Sequence, residues 1–112
     1  MIKKMDDCCT TCSDCRTMCL KTMQLCLKKG GKFADAKLSL MLAECAQFCQ
    51  MTADMAATGS ERFAKAAEMC AKHCDDCARA CDAMNESFLN ECASMLRKCA
   101  EECRSINSAV AV

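Results

Sequence analysis

The chain has 112 residues, of which 15 are cysteine and 10 are methionine, and its 15 basic residues balance its 15 acidic ones. This length predicts a single domain, residues 1–112, with a modest core. Zero net charge provides no electrostatic attraction to nucleic acid or to an anionic membrane. The sequence has no run of about 18 apolar residues, so no membrane-spanning helix is predicted. Tryptophan, tyrosine and proline are absent, so cysteine, methionine and alanine must fill much of the core.

The first residues, Met-Ile-Lys-Lys-Met-Asp-Asp-Cys-Cys, lack the apolar segment of a secretory signal. An odd number of cysteines argues against a fully disulfide-paired secreted framework. In a reducing cytosol thiols stay free, and dense cysteine there indicates metal or redox chemistry. We therefore expect a cytoplasmic protein. The alternative is an exported protein whose signal is not part of this sequence.

Four helices are predicted in chain order. Gly30 follows two lysines that suit a helix C-terminus, and Gly59 ends the second helix. Asp35, Ser60 and Ser87 are the predicted N-caps of the second, third and fourth helices. Short connections between long helices predict an all-α, antiparallel, up-down-up-down four-helix bundle. The predicted helices cover residues about 3–29, 35–57, 61–84 and 88–106.

Cysteine recurs at intervals of three and four residues, a spacing that places side chains on one face of a helix. The run from Cys70 to Cys81 steps by 4, 3 and 4, and the run from Cys8 to Cys19 steps identically. Cysteine thus occupies positions where a bundle ordinarily carries leucine, which predicts a core lined with thiols. The fourteen cysteines on the predicted inward faces are Cys8, Cys12, Cys15, Cys19, Cys26, Cys45, Cys49, Cys70, Cys74, Cys77, Cys81, Cys92, Cys99 and Cys103.

Antiparallel packing predicts that these thiols form one continuous tube to which all four helices contribute. Cys8 should lie level with Cys103 at one end, and Cys26 level with Cys81 at the other. Cys9 lies one position off the inward face of its helix. The other predicted inward residues are Met5, Thr22, Leu38, Met41 or Leu42, Thr52, Ala56, Phe63, Ala67, Met84, Phe88, Met95 and Ile106.

Three chemistries suit such a tube: disulfide formation, zinc binding and Cu(I) binding. A disulfide needs Cβ atoms about 3.5–4.5 Å apart, and same-face neighbours on one helix are about 5–6 Å apart. Only cross-helix disulfides are therefore feasible, for example in a hairpin that joins Cys45 and Cys49 to Cys70 and Cys74. A four-thiolate zinc site carries a net charge of −2, which is costly to repeat inside a core. Cu(I) accepts two or three thiolates and neutralises about one thiolate per ion, so charge balance favours many Cu(I) ions.

Three segments are rich in cysteine: Cys70-Ala-Lys-His-Cys-Asp-Asp-Cys-Ala-Arg-Ala-Cys81, Cys99-Ala-Glu-Glu-Cys-Arg104 and Glu44-Cys45-Ala-Gln-Phe-Cys49. With these segments the chain resembles the bacterial four-helix-bundle copper storage proteins, and the resemblance covers nearly the whole chain. It implies a bundle that sequesters many Cu(I) ions, assembles as a homotetramer and uses the fourteen inward cysteines as ligands. Family members often have cysteine at more bundle positions, where this chain has Thr22, Met41, Ala67 and Met95, so we expect a lower capacity.

Some candidate ligands lie outside this pattern. His73, the one histidine, precedes Cys74 and is either a surface residue or an auxiliary Cu(I) ligand at an entry site. Cys9 is either a peripheral ligand or the site of an intermolecular disulfide. Met41 and Met84 lie toward the end that carries both hairpin turns, and they are candidate entry ligands because thioethers bind Cu(I) weakly. Methionine more often serves as flexible core filler. Other candidates are Met23 and Met95 at the same end, and Met5, Met51 and Met55 at the opposite end.

No motif demands catalysis, since the sequence has neither a Gly-rich phosphate loop nor a nucleophile elbow. A thiol redox buffer is an alternative function, although redox relays generally use one accessible pair of low pKa. We therefore predict a copper storage protein and not an enzyme, with copper ions as its ligand and neither nucleic acid nor a membrane as a partner.

Overall fold

The computed structural model describes residues 2–110, and within this range the chain forms four α-helices and no β-strand. A short 3₁₀ turn, Gly31–Ala34, joins the first two helices. The predicted all-α, four-helix fold is therefore confirmed. The helices are α1 (Ile2–Lys29), α2 (Ala36–Thr58), α3 (Phe63–Asp82) and α4 (Ser87–Val110).

The ends of α2 are fixed by two local signals in the sequence. At its start, the Asp35 carboxylate accepts a hydrogen bond of 3.2 Å from the backbone N–H of Leu38, as an N-cap does. At its end, Gly59 adopts a left-handed conformation with φ of 65°. Glycine adopts this conformation without a steric penalty from Cβ. The chain can therefore leave α2 and turn back toward α3 within a few residues.

The starts of α3 and α4 differ from the prediction. Helix α3 begins at Phe63, and the Ser60 hydroxyl accepts a hydrogen bond of 3.1 Å from the N–H of Arg62, in the turn that precedes the helix. Ser60 therefore stabilises the turn and does not cap the helix. Helix α4 begins at Ser87 itself, and the carbonyl of Glu86 accepts a hydrogen bond from the N–H of Asn90.

Each helix packs against two neighbours, in the cyclic order α1, α2, α3, α4. Consecutive helices run antiparallel, as contacts between α3 and α4 show. Arg104, late in α4, pairs with Asp75, about two turns before the end of α3. Arg97, one to two turns earlier in α4, pairs with Asp82 at the end of α3, at 2.6 Å. The bundle measures 47 × 20 × 18 Å, so its core is long and narrow.

The core contains all fourteen predicted inward cysteines, none of which has any exposed surface. Small residues, chiefly alanine, and a few leucines fill the space beside them. On α2 the choice between two predicted residues is settled in favour of Leu42, which is fully buried, whereas Met41 is half-buried. Met84 is also half-buried and packs against the core from its edge.

The prediction for the inward face of α4 is wrong at two positions, because the residue after each predicted one is buried instead. Leu89 and Leu96 are fully buried, whereas Phe88 and Met95 are only half-buried. The cause is geometric: Leu89 is three residues before Cys92 and Leu96 is four residues after it, so both share its face. Phe88 lies at the edge of the bundle, where its ring centroid is 5.8 Å from that of Phe33.

Among the described residues, no helix has both the length and the apolar character that crossing a membrane would require.

Candidate metal centre

The helices bring together thiols that are far apart in the sequence. All fifteen cysteines are free, and the fourteen on the inward faces are buried. Cys9 is half-buried beside the core, in keeping with its position one residue off the inward face of α1. The bundle core is thus a column of reduced sulfur atoms enclosed by four helices.

One cluster of four thiols lies toward the end of the bundle where α1 begins. The Sγ atoms of Cys12, Cys70, Cys99 and Cys103, from α1, α3 and α4, all lie within 4.8 Å of one another. Cys12 is 3.6 Å from Cys99 and 3.8 Å from Cys103. Cys8 extends the cluster toward the bundle end, because its Sγ atom is 3.8 Å from that of Cys12.

A second cluster draws one thiol from each of the four helices. The Sγ atoms of Cys15, Cys49, Cys74 and Cys99 lie within 4.8 Å of one another. Cys99 belongs to both clusters, so the two clusters share a ligand. Cys70 provides a further link, since its Sγ atom is 3.9 Å from that of Cys49 and 3.9 Å from that of Cys74. The two clusters therefore form one continuous group of sulfurs.

The thiols continue toward the opposite end of the bundle. Cys45 is 3.6 Å from Cys74 and connects the second cluster to this part of the core. Hydrogen bonds from the thiols of Cys19 and Cys81 lower the pKa of Cys92 to about 4. Cys26 is the last thiol of the column, and burial raises its pKa. The thiols are thus densest in the half of the bundle that contains the two clusters.

Hydrogen bonds among the thiols lower the pKa of some sulfurs and raise the pKa of others. The pKa of Cys99 lies well below the usual range because the thiols of Cys103 and Cys12 donate to its thiolate. The pKa of Cys74 lies well above the usual range, because of its hydrogen bonds with Cys15 and Cys45 and its burial. Protons are therefore shared between neighbouring sulfurs. A metal cation that enters such a cluster takes the place of these protons.

Two threonines interrupt the thiol column, at positions where the sequence pattern places an inward residue. Thr52 is fully buried, and its hydroxyl donates a hydrogen bond of 2.8 Å to the carbonyl of Phe48 in its own helix. The Thr52 hydroxyl therefore donates its hydrogen to the backbone and not to a neighbouring sulfur. Thr22 is 2% exposed, and its hydroxyl hydrogen-bonds to Cys92, which favours the thiolate there.

The candidate ligands other than cysteine lie apart from the two clusters. Met41 and Met84 are half-buried against the edge of the core. His73 lies on the outer side of the seam between α2 and α3, where its ring stacks on Phe48 with a centroid distance of 4.9 Å. Its Nε2 atom is 4.0 Å from a carboxylate oxygen of Glu44. Neither four-thiol cluster includes His73.

Comparisons with known proteins agree with this architecture. No curated protein is significantly similar in sequence. The Nmul_A1745 protein of Nitrosospira multiformis is similar in structure, with a TM-score of 0.90 and 30% sequence identity over 97% of this chain and 99% of that chain. The Cu(I)-bound copper storage protein BsCsp3 has a TM-score of 0.86 and 25% identity, over 91% of this chain and 96% of that chain.

The family model described as Csp, copper storage protein, matches residues 1–108. The match extends over nearly the whole chain and includes every cysteine of the buried column. By its sequence and by the structure of its thiol-lined bundle, this chain belongs to the copper storage protein family.

Proposed function

We propose that this chain stores Cu(I) ions along the core of its bundle, with the fourteen buried cysteines as ligands. The observation that carries the proposal is the sharing of Cys99 between two four-thiol clusters. Shared ligands suit Cu(I), a soft ion of low coordination number whose thiolates can each serve two ions. Neighbouring Cu(I) ions would then be joined by bridging sulfurs along the column.

Charge balance supports copper over other metals. Each Cu(I) ion neutralises about one thiolate, so a column filled with many ions stays close to neutral. A buried column of uncompensated thiolates would instead pay a large desolvation penalty. The protons now shared among the sulfurs would leave as the ions enter. Storage of many ions is therefore compatible with a core that no water reaches.

Zinc is the second candidate, because the spacing of the sulfurs suits it. A tetrahedral site with Zn–S bonds of about 2.3 Å separates its sulfurs by roughly 3.8 Å, and the closest sulfurs here are 3.6–3.9 Å apart. The two clusters together contain seven cysteines. Two Zn²⁺ ions would leave three of the seven negative charges uncompensated in the core, which disfavours zinc.

Titration of the reduced protein with Cu(I) under anaerobic conditions, in competition with a chelator, tests the proposal. We expect on the order of 10–20 tightly bound ions per chain, because soft thiolates each serve one or two metals. Saturation at one to four ions would mean a local site and not a storage column. A parallel titration with Zn²⁺ should saturate at fewer ions. A thiol redox buffer would instead form cross-helix disulfides reversibly and bind few ions.

Four further features belong to the same proposal. The whole chain acts as one domain, in the cytoplasm, where a reducing environment keeps its thiols available. It assembles as a homotetramer, and it holds copper without catalysing a reaction. Membership of the storage protein family supports these statements. Light scattering on the apo and copper-loaded forms tests the tetramer, and fractionation of cells that express the untagged chain tests the location.

A further inference from the structure

The outer seam between α2 and α3 carries thioether groups that are not part of the core. Met51 and Met55 from α2 and Met69 from α3 line one surface cavity of about 260 Å³. Met69 is 48% exposed, so much of its side chain is in contact with solvent. Arg62 and Lys65 form part of the wall of this cavity. Three thioethers from two helices thus converge on one solvent-accessible space.

A second cavity of about 350 Å³ adjoins the first and shares Met69 with it. His73 lines this cavity and lies four residues after Met69, on the same face of α3. Its Nε2 atom is buried and has no hydrogen-bond partner in the part of the chain that the structure describes. A buried polar atom without a partner costs free energy unless a ligand satisfies it.

These groups share one chemistry. Thioether sulfur and imidazole nitrogen are ligands for soft and borderline metal ions, Cu(I) among them. Both are neutral donors, so a Cu(I) ion bound by them keeps its positive charge and is held more weakly than by thiolates. Arg62 and Lys65 weaken its binding further, whereas Glu44 and Asp54 beside the seam favour it. Such a site binds Cu(I) reversibly where it can exchange with solvent.

We propose that Met51, Met55 and Met69, together with His73, form a second and weaker Cu(I) site on the outer α2–α3 seam, separate from the thiol column. The inference takes from the proposed function only the identity of the metal. The seam site lies at the surface, and its four candidate ligands do not belong to either buried cluster.

The test uses the reduced full-length chain with ¹³C-methyl-labelled methionine, first saturated with Cu(I) at its thiols. Saturation is recognised when the thiolate-to-copper charge-transfer absorption stops rising. We expect further Cu(I) to shift the methyl resonances of Met51, Met55 and Met69 and the ring resonances of His73 together, with an end point of about one added ion. Met18, half-buried on α1, is an internal control whose methyl resonance should not move.

A double variant, Met51→Leu with Met69→Leu, removes two sulfurs while nearly conserving side-chain volume. It should lose the added ion and retain the full charge-transfer absorption. The control variant, Met18→Leu, should retain both. The proposal fails if excess Cu(I) moves none of the three methyl resonances, or if the double variant binds the added ion unchanged. It also fails if the seam is a subunit interface, so that the double variant lowers the molecular mass measured by light scattering. Failure of the storage proposal would appear separately, as a weak charge-transfer absorption in the unmodified chain.

Discussion

The Sγ atoms of Cys45 on α2 and Cys74 on α3 lie 3.6 Å apart across the seam between the two helices. Cys74 also lies 3.9 Å from Cys70, one turn away on its own helix. A single sulfur therefore has close neighbours both along its helix and across the bundle. Because each bridging thiolate serves more than one soft metal ion, the loss of one sulfur should affect several ions.

Replacing Cys74, Cys77 and Cys81 together with alanine should lower Cu(I) capacity by at least about three ions, because the bridging thiolates are shared. The helices should remain, since alanine has the highest helix propensity. Cys9→Ala is the matched control, and it should change capacity by one ion or none, because Cys9 is outside the buried column. Chelator competition measures capacity, and circular dichroism measures helix content. A loss in the Cys9 variant equal to that of the triple variant would contradict the inward face assigned to α1.

A cysteine in place of Thr22 should add a ligand to the column. Thr22 is 2% exposed, and its hydroxyl already hydrogen-bonds to Cys92. Thr22→Cys should therefore raise Cu(I) capacity by about one ion. Thr17→Cys is the control, because Thr17 is exposed on the same helix and should add no tightly held ion. Equal capacity in both variants would show that burial beside the column does not determine which thiols hold copper.

The packing of α4 makes a prediction about stability. Leu96 is fully buried, and Leu96→Ala should cost about 2–5 kcal/mol of the free energy of unfolding, because the substitution leaves a cavity in the core. Met95→Ala should cost distinctly less, since Met95 is half-buried at the edge. Guanidinium denaturation of the metal-free, reduced variants measures both. If Met95→Ala proved more destabilising than Leu96→Ala, Met95 would face the core, as the sequence predicts for α4.

Copper held by Cys26 should be released before copper held by Cys92 when the pH falls. Burial raises the pKa of Cys26, so a proton competes with the metal more effectively there than at Cys92, whose pKa hydrogen bonds lower to about 4. Ligand thiols must lose their protons to bind metal. The unmodified chain should therefore retain more Cu(I) than Cys26→Ala at alkaline pH, and the two should converge on acidification. A difference that persisted at acidic pH would show that Cys26 ionises as readily as Cys92.

The sequence by itself determined the helices and the thiol-lined core. Cysteines spaced three and four apart can share one face only in an α-helix, and they can be buried together only where several such faces meet. Asp35 and Gly59 indicate the start and the end of α2, because capping and a left-handed turn involve only a few neighbouring residues. These features depend on local geometry, which the order of residues specifies directly.

The tertiary structure alone decided which residues meet. Met95 and Leu96 both lie at helical spacing from Cys92 and Cys99, so periodicity could not distinguish them, and packing against the other helices buried Leu96. The sharing of Cys99 between two clusters likewise depends on how far each helix is shifted and rotated against its neighbours. The spacing of residues along one helix fixes directions around its own axis. It does not fix that shift or rotation, because both result from how side chains of different helices pack together.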